Sequence, residues 1–313
     1  MQNAFKDSLK KLSDLNLVNF SNFSQRGIEK ESLRVNDLEI SNSDHPKALG
    51  SALTNPFITT DFSEALLEFI TRKSSTVEKA LDDLKVILTY THQNIEDVIW
   101  PGSVPCSIRD ESKIRIANYG TSNSGKLKEL YRIGLSYRYG SMMQCVSGIH
   151  YNFSLNEDFF KKWQGSKENF QSFQNEKYLN LIRNFRKNAW LLLYLFGASP
   201  VVPNTFLTDR KNFLKPLNNE DSFLENATCL RMSELGYMSE AQDDLNIAYN
   251  TLDEYISDLR NALTKKYEPY EEIGLKKDNQ HIQINDSIIQ IENEYYSSIT
   301  VSYTHLRAHE TPI

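Results

Sequence analysis

The sequence predicts an α+β protein built on an antiparallel sheet. Helical periodicity runs through several long segments, and strand patterns fall singly or as hairpins between them. Strand and helix do not alternate in the regular order that a doubly wound parallel sheet requires. Of 313 residues, 40% are hydrophobic and 24% charged, enough for a sizeable core. Only 12 glycines and 9 prolines are present, and no linker-like run separates two units.

In chain order, MQNAFKDSLKKLSDLNLV places Phe5, Leu9, Leu12 and Leu15 at helical spacing, which predicts an amphipathic first helix. Charges interrupt it throughout, so it does not read as a secretory signal. Strands are expected over residues 32–40, 57–60 and 65–71, followed by a helix over 76–98. Residues 123–139 read as a helix, 149–155 as a strand and 176–196 as a helix. The most apolar stretch, 189–196, is eight residues long, where a membrane span needs about 20. A helix over 240–265 carries Leu245, Ala248, Leu252, Ile256, Leu259 and Leu263 on one stripe. Residues 281–291, with Asn285-Asp286-Ser287 inside, predict two strands joined by a turn.

The balance of 35 basic and 41 acidic residues gives a net charge of −6, which does not favour nonspecific attraction to nucleic acid or anionic lipid. The three cysteines, Cys106, Cys145 and Cys229, are dispersed and form no Cys-x-x-Cys pair. They fit a reducing compartment, and a soluble cytoplasmic protein is expected.

Glu29 and Glu31 lie two apart in RGIEKESLRV, so on a strand both carboxylates share a face. Such a pair is either a solvated sheet edge, countered by Lys30 and Arg34, or a site for a cation. TTDFSEALLEFIT adds Asp61, Glu64 and Glu68. A carboxylate in so apolar a strand is either on a wet face or needs a partner or a metal. In SGIHYNFSL the apolar residues Ile149, Tyr151, Phe153 and Leu155 alternate with His150, Asn152 and Ser154, as in a half-buried sheet with a polar upper face. Glu29, Glu31, Glu68 and His150 together would make an oxygen-rich cluster suited to Mg2+ or Mn2+. GTSNSGK, residues 120–126, matches the glycine and lysine spacing of a phosphate-binding loop. Leu127 stands where that loop needs Ser or Thr, and the preceding IRIANY is a weak strand, so we read it as a decoy. Lys126, Lys128, Arg132 and Arg138 face either a phosphate-bearing ligand or solvent. Arg231, Tyr237, Tyr295 and Tyr296 are further candidates, arginine being well shaped to grip a carboxylate.

Taken in order, QRGIEKESLRV, HPKALGSALTNPFITTDFSEALLEFIT, YGTSNSGKLKELYRIGLSYRYG, VSGIHYNFSL, LFGASP, LRMSELGY and QINDSIIQIENEYY resemble one family closely, the bacterial glutamate–cysteine ligases. The resemblance covers residues from about 20 to 299. It implies a glutamine-synthetase-like fold, a curved antiparallel sheet flanked by long helices, whose concave face holds metal ions, ATP and substrates. It also implies ligation of L-cysteine to the γ-carboxylate of L-glutamate with ATP as co-substrate, through a γ-glutamyl phosphate, in the first step of glutathione synthesis. By the same resemblance, Glu29, Glu31, Glu68 and His150 match metal-site positions. Asp61 and Arg132 match catalytic positions, with Asp61 either binding metal or orienting Arg132. Tyr131, Gln144, Arg231, Tyr237 and Tyr296 match the substrate pocket, where Arg231 holds the cysteine carboxylate. A monomer with no nucleic-acid or membrane partner is expected.

The likeness breaks off after Ile299, where the chain ends in TVSYTHLRAHETPI. The expected organisation is a single catalytic domain over 1–301, incomplete at its carboxy terminus, and a tail over 302–313 foreign to the family. The resemblance places a further metal-binding Glu and a phosphate-reaching Arg beyond that point, so an inactive fragment is expected. Another carboxylate–amine ligase and a non-catalytic binding module are the competing readings.

Overall fold

The computed structural model describes residues 2–15, 20–165, 169–207, 213–230, 233 and 239–296. Its organising element is β1 (Ser24–Asn36), a strand of 13 residues. Residues 24–30 of β1 pair antiparallel with β6 (Ile149–Leu155), and residues 29–33 pair antiparallel with β4 (Leu66–Ile70). Residues 29 and 30 take part in both ladders, so β6 and β4 occupy opposite edges of β1. Beyond β4 lies β3 (Ile58–Thr60), and the far end of β1 pairs with β2 (Glu39–Ile40) and β5 (Val98–Ile99). Every pairing in this six-stranded sheet is antiparallel, and the molecule is α+β as expected. A three-stranded sheet is formed by β7 (Val201–Pro203), β8 (Lys215–Pro216) and β9 (Asp221–Phe223).

The helices are α1 (Gln2–Asp14), α2 (Val77–Gln93), α3 (Asn123–Tyr139), α4 (Glu157–Gln164), α5 (Phe170–Phe196), α6 (Leu252–Thr264) and α7 (Glu268–Ile273). Thr76, Ser122, Asn156 and Thr251 cap α2, α3, α4 and α6, each side chain accepting from a backbone N–H in the first turn. One sheet face is covered by α2, where Ile58, Leu67 and Phe69 pack with Ile87. On the other face Leu33 and Leu66 join Phe62, Cys145 and Leu135 of α3. A second core forms where α5 and α6 meet Tyr270, Ile288 and Ile289.

Four expectations are corrected. The helix expected over 240–265 is α6 alone. Residues 240–242 make one short 3-10 turn, and the stripe is interrupted where the Ala248 N–H is held by Asp258 Oδ2 at 2.8 Å. The hairpin expected over 281–291 does not form. Gln280 and His281 (β11) pair with Lys276 and Lys277 (β10), Ser287 makes a single antiparallel bridge to Lys266, and the rest is looped. Its side chains satisfy the backbone locally instead: Asn285 Oδ1 accepts from Ser287 N at 3.0 Å and Glu294 Oε2 from Gln290 N at 2.6 Å. The alternation in β6 is real, but its apolar face is uncovered. Ile149 and Tyr151 are 68% and 58% exposed, whereas α2 packs chiefly on β1 and β4. The strand expected at 32–40 starts earlier, at Ser24, and breaks at Asp37 and Leu38, both at positive φ.

The looped segment is bolted to α3. Arg138 and Glu294 are fully buried, 3.1 Å apart, and Glu294 also accepts from the Tyr139 hydroxyl at 2.7 Å. Arg138 further donates to Gln283 Oε1 at 3.0 Å and to the Asn285 carbonyl at 2.6 Å, and it stacks on Tyr270. It faces neither solvent nor a ligand. One turn away, Gly134 leaves room for the Gln290 side-chain amide, which a Cβ there would have to displace. We expect Glu294→Ala to cost about 3–5 kcal/mol of stability by stranding a buried guanidinium. The paired replacement Arg138→Met with Glu294→Leu should cost less. Denaturant unfolding of both proteins checks the order.

Candidate functional site

The registers converge on one face of the main sheet. Glu31 lies directly opposite Glu68, and Glu29 directly opposite His150. Directly opposed residues in an antiparallel ladder point the same way, as do residues two apart on a strand, so all four share a face. Thr59, opposite Glu68, and Asn152, opposite Gly27, continue it on either side. Toward residues 33 and 66 the same face turns apolar and is closed by α3.

His150 Nδ1 lies 3.5 Å from Glu29 Oε2, and Asn152 Nδ2 donates to Glu29 Oε1 at 2.7 Å. The His150 contact, helped by Asn152, holds the Glu29 carboxyl below its usual range against the opposing effect of burial. Glu31 Oε2 accepts from the Gly148 N–H at 2.6 Å. Glu68 is treated differently. Burial and the negative charges of Asp61, Glu31 and Glu29 push its carboxyl from 4.5 up to about 8, with His150 opposing only weakly. A carboxylate so crowded by its own kind is one that a cation would discharge, and the donors are hard oxygens with one imidazole. By that chemistry the residues fit a divalent ion such as Mg2+. Among the described residues, no three His, Cys, Asp or Glu side chains close on one point as a formed metal centre.

Asp61 and Arg132 stand at the rim. Arg132, on α3, has its guanidinium 3.7 Å from Asp61 Oδ1, and its Nε donates to the Asp61 carbonyl. It stacks on the ring of Tyr119 at 4.6 Å. The buried Tyr119 hydroxyl donates to the carbonyls of Thr60 and Asp61 at 2.6 and 2.9 Å. Burial pushes that phenol up to about 12, so it stays neutral. Residues 120–126 open α3, with Ser122 as its cap. Gly125 is there because a Cβ would stand 2.5 Å from the Tyr119 carbonyl, which is a packing requirement and not a phosphate cradle. Glu64 faces away from the site: its two oxygens accept from the backbone N–H groups of His45 and Asn118.

Of the expected pocket residues, Tyr131 neighbours Arg132 on α3 and is half-buried against the first core. Gln144 is buried in the 3-10 turn Met143–Cys145, its Nε2 without a hydrogen-bond partner, four residues before Gly148. Tyr296 is tied through its N–H to Gln242 Oε1 at 2.9 Å, beside the second core. Arg231 and Tyr237 lie outside the described residues. Sequence reasoning passed over Tyr119, the Gly148 N–H and the part Asn152 plays. Asn152 was legible as a same-face neighbour of His150, whereas Tyr119 shares no periodicity with Arg132.

Comparison with known proteins follows the same lines. The profile of the family described as glutamate-cysteine ligase matches residues 9–312. A glutamate–cysteine ligase of Hahella chejuensis is 48% identical over 280 residues, covering 88% of this chain and 53% of that protein. One from Janthinobacterium sp. is 45% identical over 305 residues, covering 96% and 58%. The chain thus spans about half the length of the curated relatives it matches. Among solved structures, the glutamate–cysteine ligase of Francisella tularensis in complex with AMP superposes with a TM-score of 0.83 at 43% identity, covering 88% of this chain and 55% of that one. A bifunctional glutathione synthetase of Pasteurella multocida superposes with a TM-score of 0.66 at 30% identity, covering 83% and 32%. Among the described residues, no helix is long and apolar enough to cross a membrane.

The charge state of Glu68 has a measurable consequence in the metal-free protein. Its folded value lies above the ordinary 4.5, so the folded chain keeps a proton that the unfolded chain releases. Stability therefore falls as pH rises from 4.5 to about 8 and then levels off. Glu68→Gln should remove that slope, leaving a variant little changed at pH 4.5 and more stable than its parent at pH 8.5. Urea unfolding with EDTA present, at both pH values, checks this; parallel curves for the two proteins would contradict it.

Proposed function

The chain belongs to the glutamate–cysteine ligase family, and on that footing we propose that it carries the acidic part of an active site that joins L-cysteine to the γ-carboxylate of L-glutamate at the expense of ATP. That reaction is the first step of glutathione synthesis. The observation that carries the reading is the facing of Glu31 and Glu68, with Glu29 paired to His150 on the same sheet face.

The chemistry sets the requirements. A carboxylate is a poor acyl donor, so ATP first phosphorylates the glutamate γ-carboxylate. The cysteine amine then attacks the resulting γ-glutamyl phosphate and phosphate leaves. Two anions, a triphosphate and a carboxylate, must therefore meet. Mg2+ or Mn2+ held by Glu29, Glu31, Glu68 and His150 would offset that negative charge. His150, helped by Asn152, holds the Glu29 carboxyl below its usual range. The Gly148 N–H holds one oxygen of Glu31 by a hydrogen bond. Arg132, held by Asp61, offers its guanidinium to the transferring phosphoryl group. Tyr131, Gln144, Arg231, Tyr237 and Tyr296 enclose the amino-acid substrates, with Arg231 gripping the cysteine carboxylate in two-pronged fashion. We read the chain as part of one catalytic domain, working as a cytoplasmic monomer without nucleic-acid or membrane partners.

Two measurements test this. The purified chain is titrated with Mn2+, with and without ATP, and free Mn2+ is read by electron paramagnetic resonance. Glu68→Gln should weaken binding at least about tenfold, the loss typical of a metal-site change. Product formation from ATP, L-glutamate and L-cysteine is followed in the chain joined to the carboxy-terminal remainder of a relative. There Glu29→Gln should lower turnover at least about a hundredfold. Arg231→Lys should raise the KM for cysteine more than that for glutamate. Unchanged Mn2+ affinity together with normal turnover would refute the assignment.

A further inference from the structure

Two cations one helical turn apart lie over a single aromatic ring. Lys128 Nζ and the Arg132 guanidinium carbon stand 5.1 and 4.6 Å from the centroid of Tyr119. Like charges four residues apart on a helix repel by a few tenths of a kcal/mol. The negative face of the ring attracts each of them and offsets that repulsion. Tyr119 belongs to neither the helix nor the sheet; it precedes α3 in the chain. Its hydroxyl is nevertheless pinned to the sheet side by the carbonyls of Thr60 and Asp61. Arg132 donates to that same Asp61 carbonyl and to the Lys128 carbonyl at 3.0 Å. The ring is thus fixed from one side by the end of β3 and covered from the other by α3, while the Lys128 side chain remains exposed.

What such a pair could recognise is limited by its neighbours. Asp61 and Glu68 stand close by, and Glu29 and Glu31 lie beyond them. A bare carboxylate or single phosphate would meet that wall of negative charge. An anion arriving with its own divalent cations would not, and its remaining charge, spread over several phosphate groups, matches two cations a few ångströms apart.

We propose that Tyr119 is a positioning residue that holds Lys128 and Arg132 together as a paired cation for a metal-bound polyphosphate chain at the rim of the acidic face. The proposal rests on the reading of that face as the nucleotide site, and it adds Tyr119 and Lys128 to it.

The probe is inorganic triphosphate with Mn2+, its affinity for the purified chain measured by calorimetry beside that of Mn2+ alone, with a thermal melt of each protein. Tyr119→Leu should weaken triphosphate binding at least about fivefold, the scale of a cation–π contact, and leave Mn2+ alone unchanged. Tyr119→Phe keeps the ring and should restore affinity to within about twofold. Lys128→Gln changes an exposed position without disturbing the core, and should weaken triphosphate at least about threefold. Tyr119→Leu binding like the parent, or Tyr119→Phe as weak as Tyr119→Leu, would overturn the positioning role. So would parallel loss of triphosphate and Mn2+ affinity, which marks a merely structural residue. An unaffected Lys128→Gln would dissolve the pair. Arg132→Gln separates the two levels: if it leaves triphosphate binding intact, the nucleotide reading itself fails, whereas a loss confined to Arg132→Gln retains that reading and removes only Tyr119 and Lys128.

Discussion

Residues 29 and 30 of β1 are paired on both edges at once, and every acidic feature of the site depends on that double register. A slip of one residue against β4 would turn Glu68 to the face that packs on α2, and a slip against β6 would turn His150 away from Glu29. The apolar alternation guards against both. Leu67 and Phe69 are wholly buried under α2, so the strand cannot be reversed without exposing them. The hydrophobic face of the sheet thus fixes the placement of the charged one.

That placement works against stability. Glu31 faces Glu68 directly, and like charges so opposed are unfavourable. The protein relieves part of the strain locally. A backbone N–H is given to Glu31, an amide and an imidazole to Glu29, and Glu68 retains its proton. The remainder is consistent with a face that receives positive charge, and Arg132 at the rim is held by Asp61 and by the Tyr119 ring. In the core, Arg34 is paired with Asp97 and Arg138 with Glu294. The contrast between oppositely charged pairs in the core and three carboxylates gathered on one face is what separates structure from site.

Much of this was legible in the sequence, for identifiable reasons. Strands 58–60, 66–70 and 149–155 announce themselves because alternation is imposed by a sheet with two unlike faces. Helices α2 and α3 announce themselves by their period. The chemistry of Glu29, Glu31, Glu68 and His150 suggests a cluster and the family likeness matches it, whereas spacing along the chain supplies no register. The region after 239 misled because apolar residues there, Ile247 and Tyr249 among them, are buried from a loop and not from a helix face. Periodicity does not distinguish the two. Arg138 looked like a surface cation since its partner, Glu294, is 156 residues away in the chain. Tyr119 was invisible for the same reason: its role is defined by what α3 lays over it.

The central claim is that the face bearing Glu29, Glu31, Glu68 and His150 is built to take divalent cations. Its most direct test is a crystal of the chain soaked in Mn2+ and measured at the manganese absorption edge. The account predicts anomalous density within direct coordination distance, about 2.0–2.2 Å, of carboxylate oxygens from at least two of Glu29, Glu31 and Glu68. Manganese bound only elsewhere on the surface, with that face clear at saturating Mn2+, would contradict it.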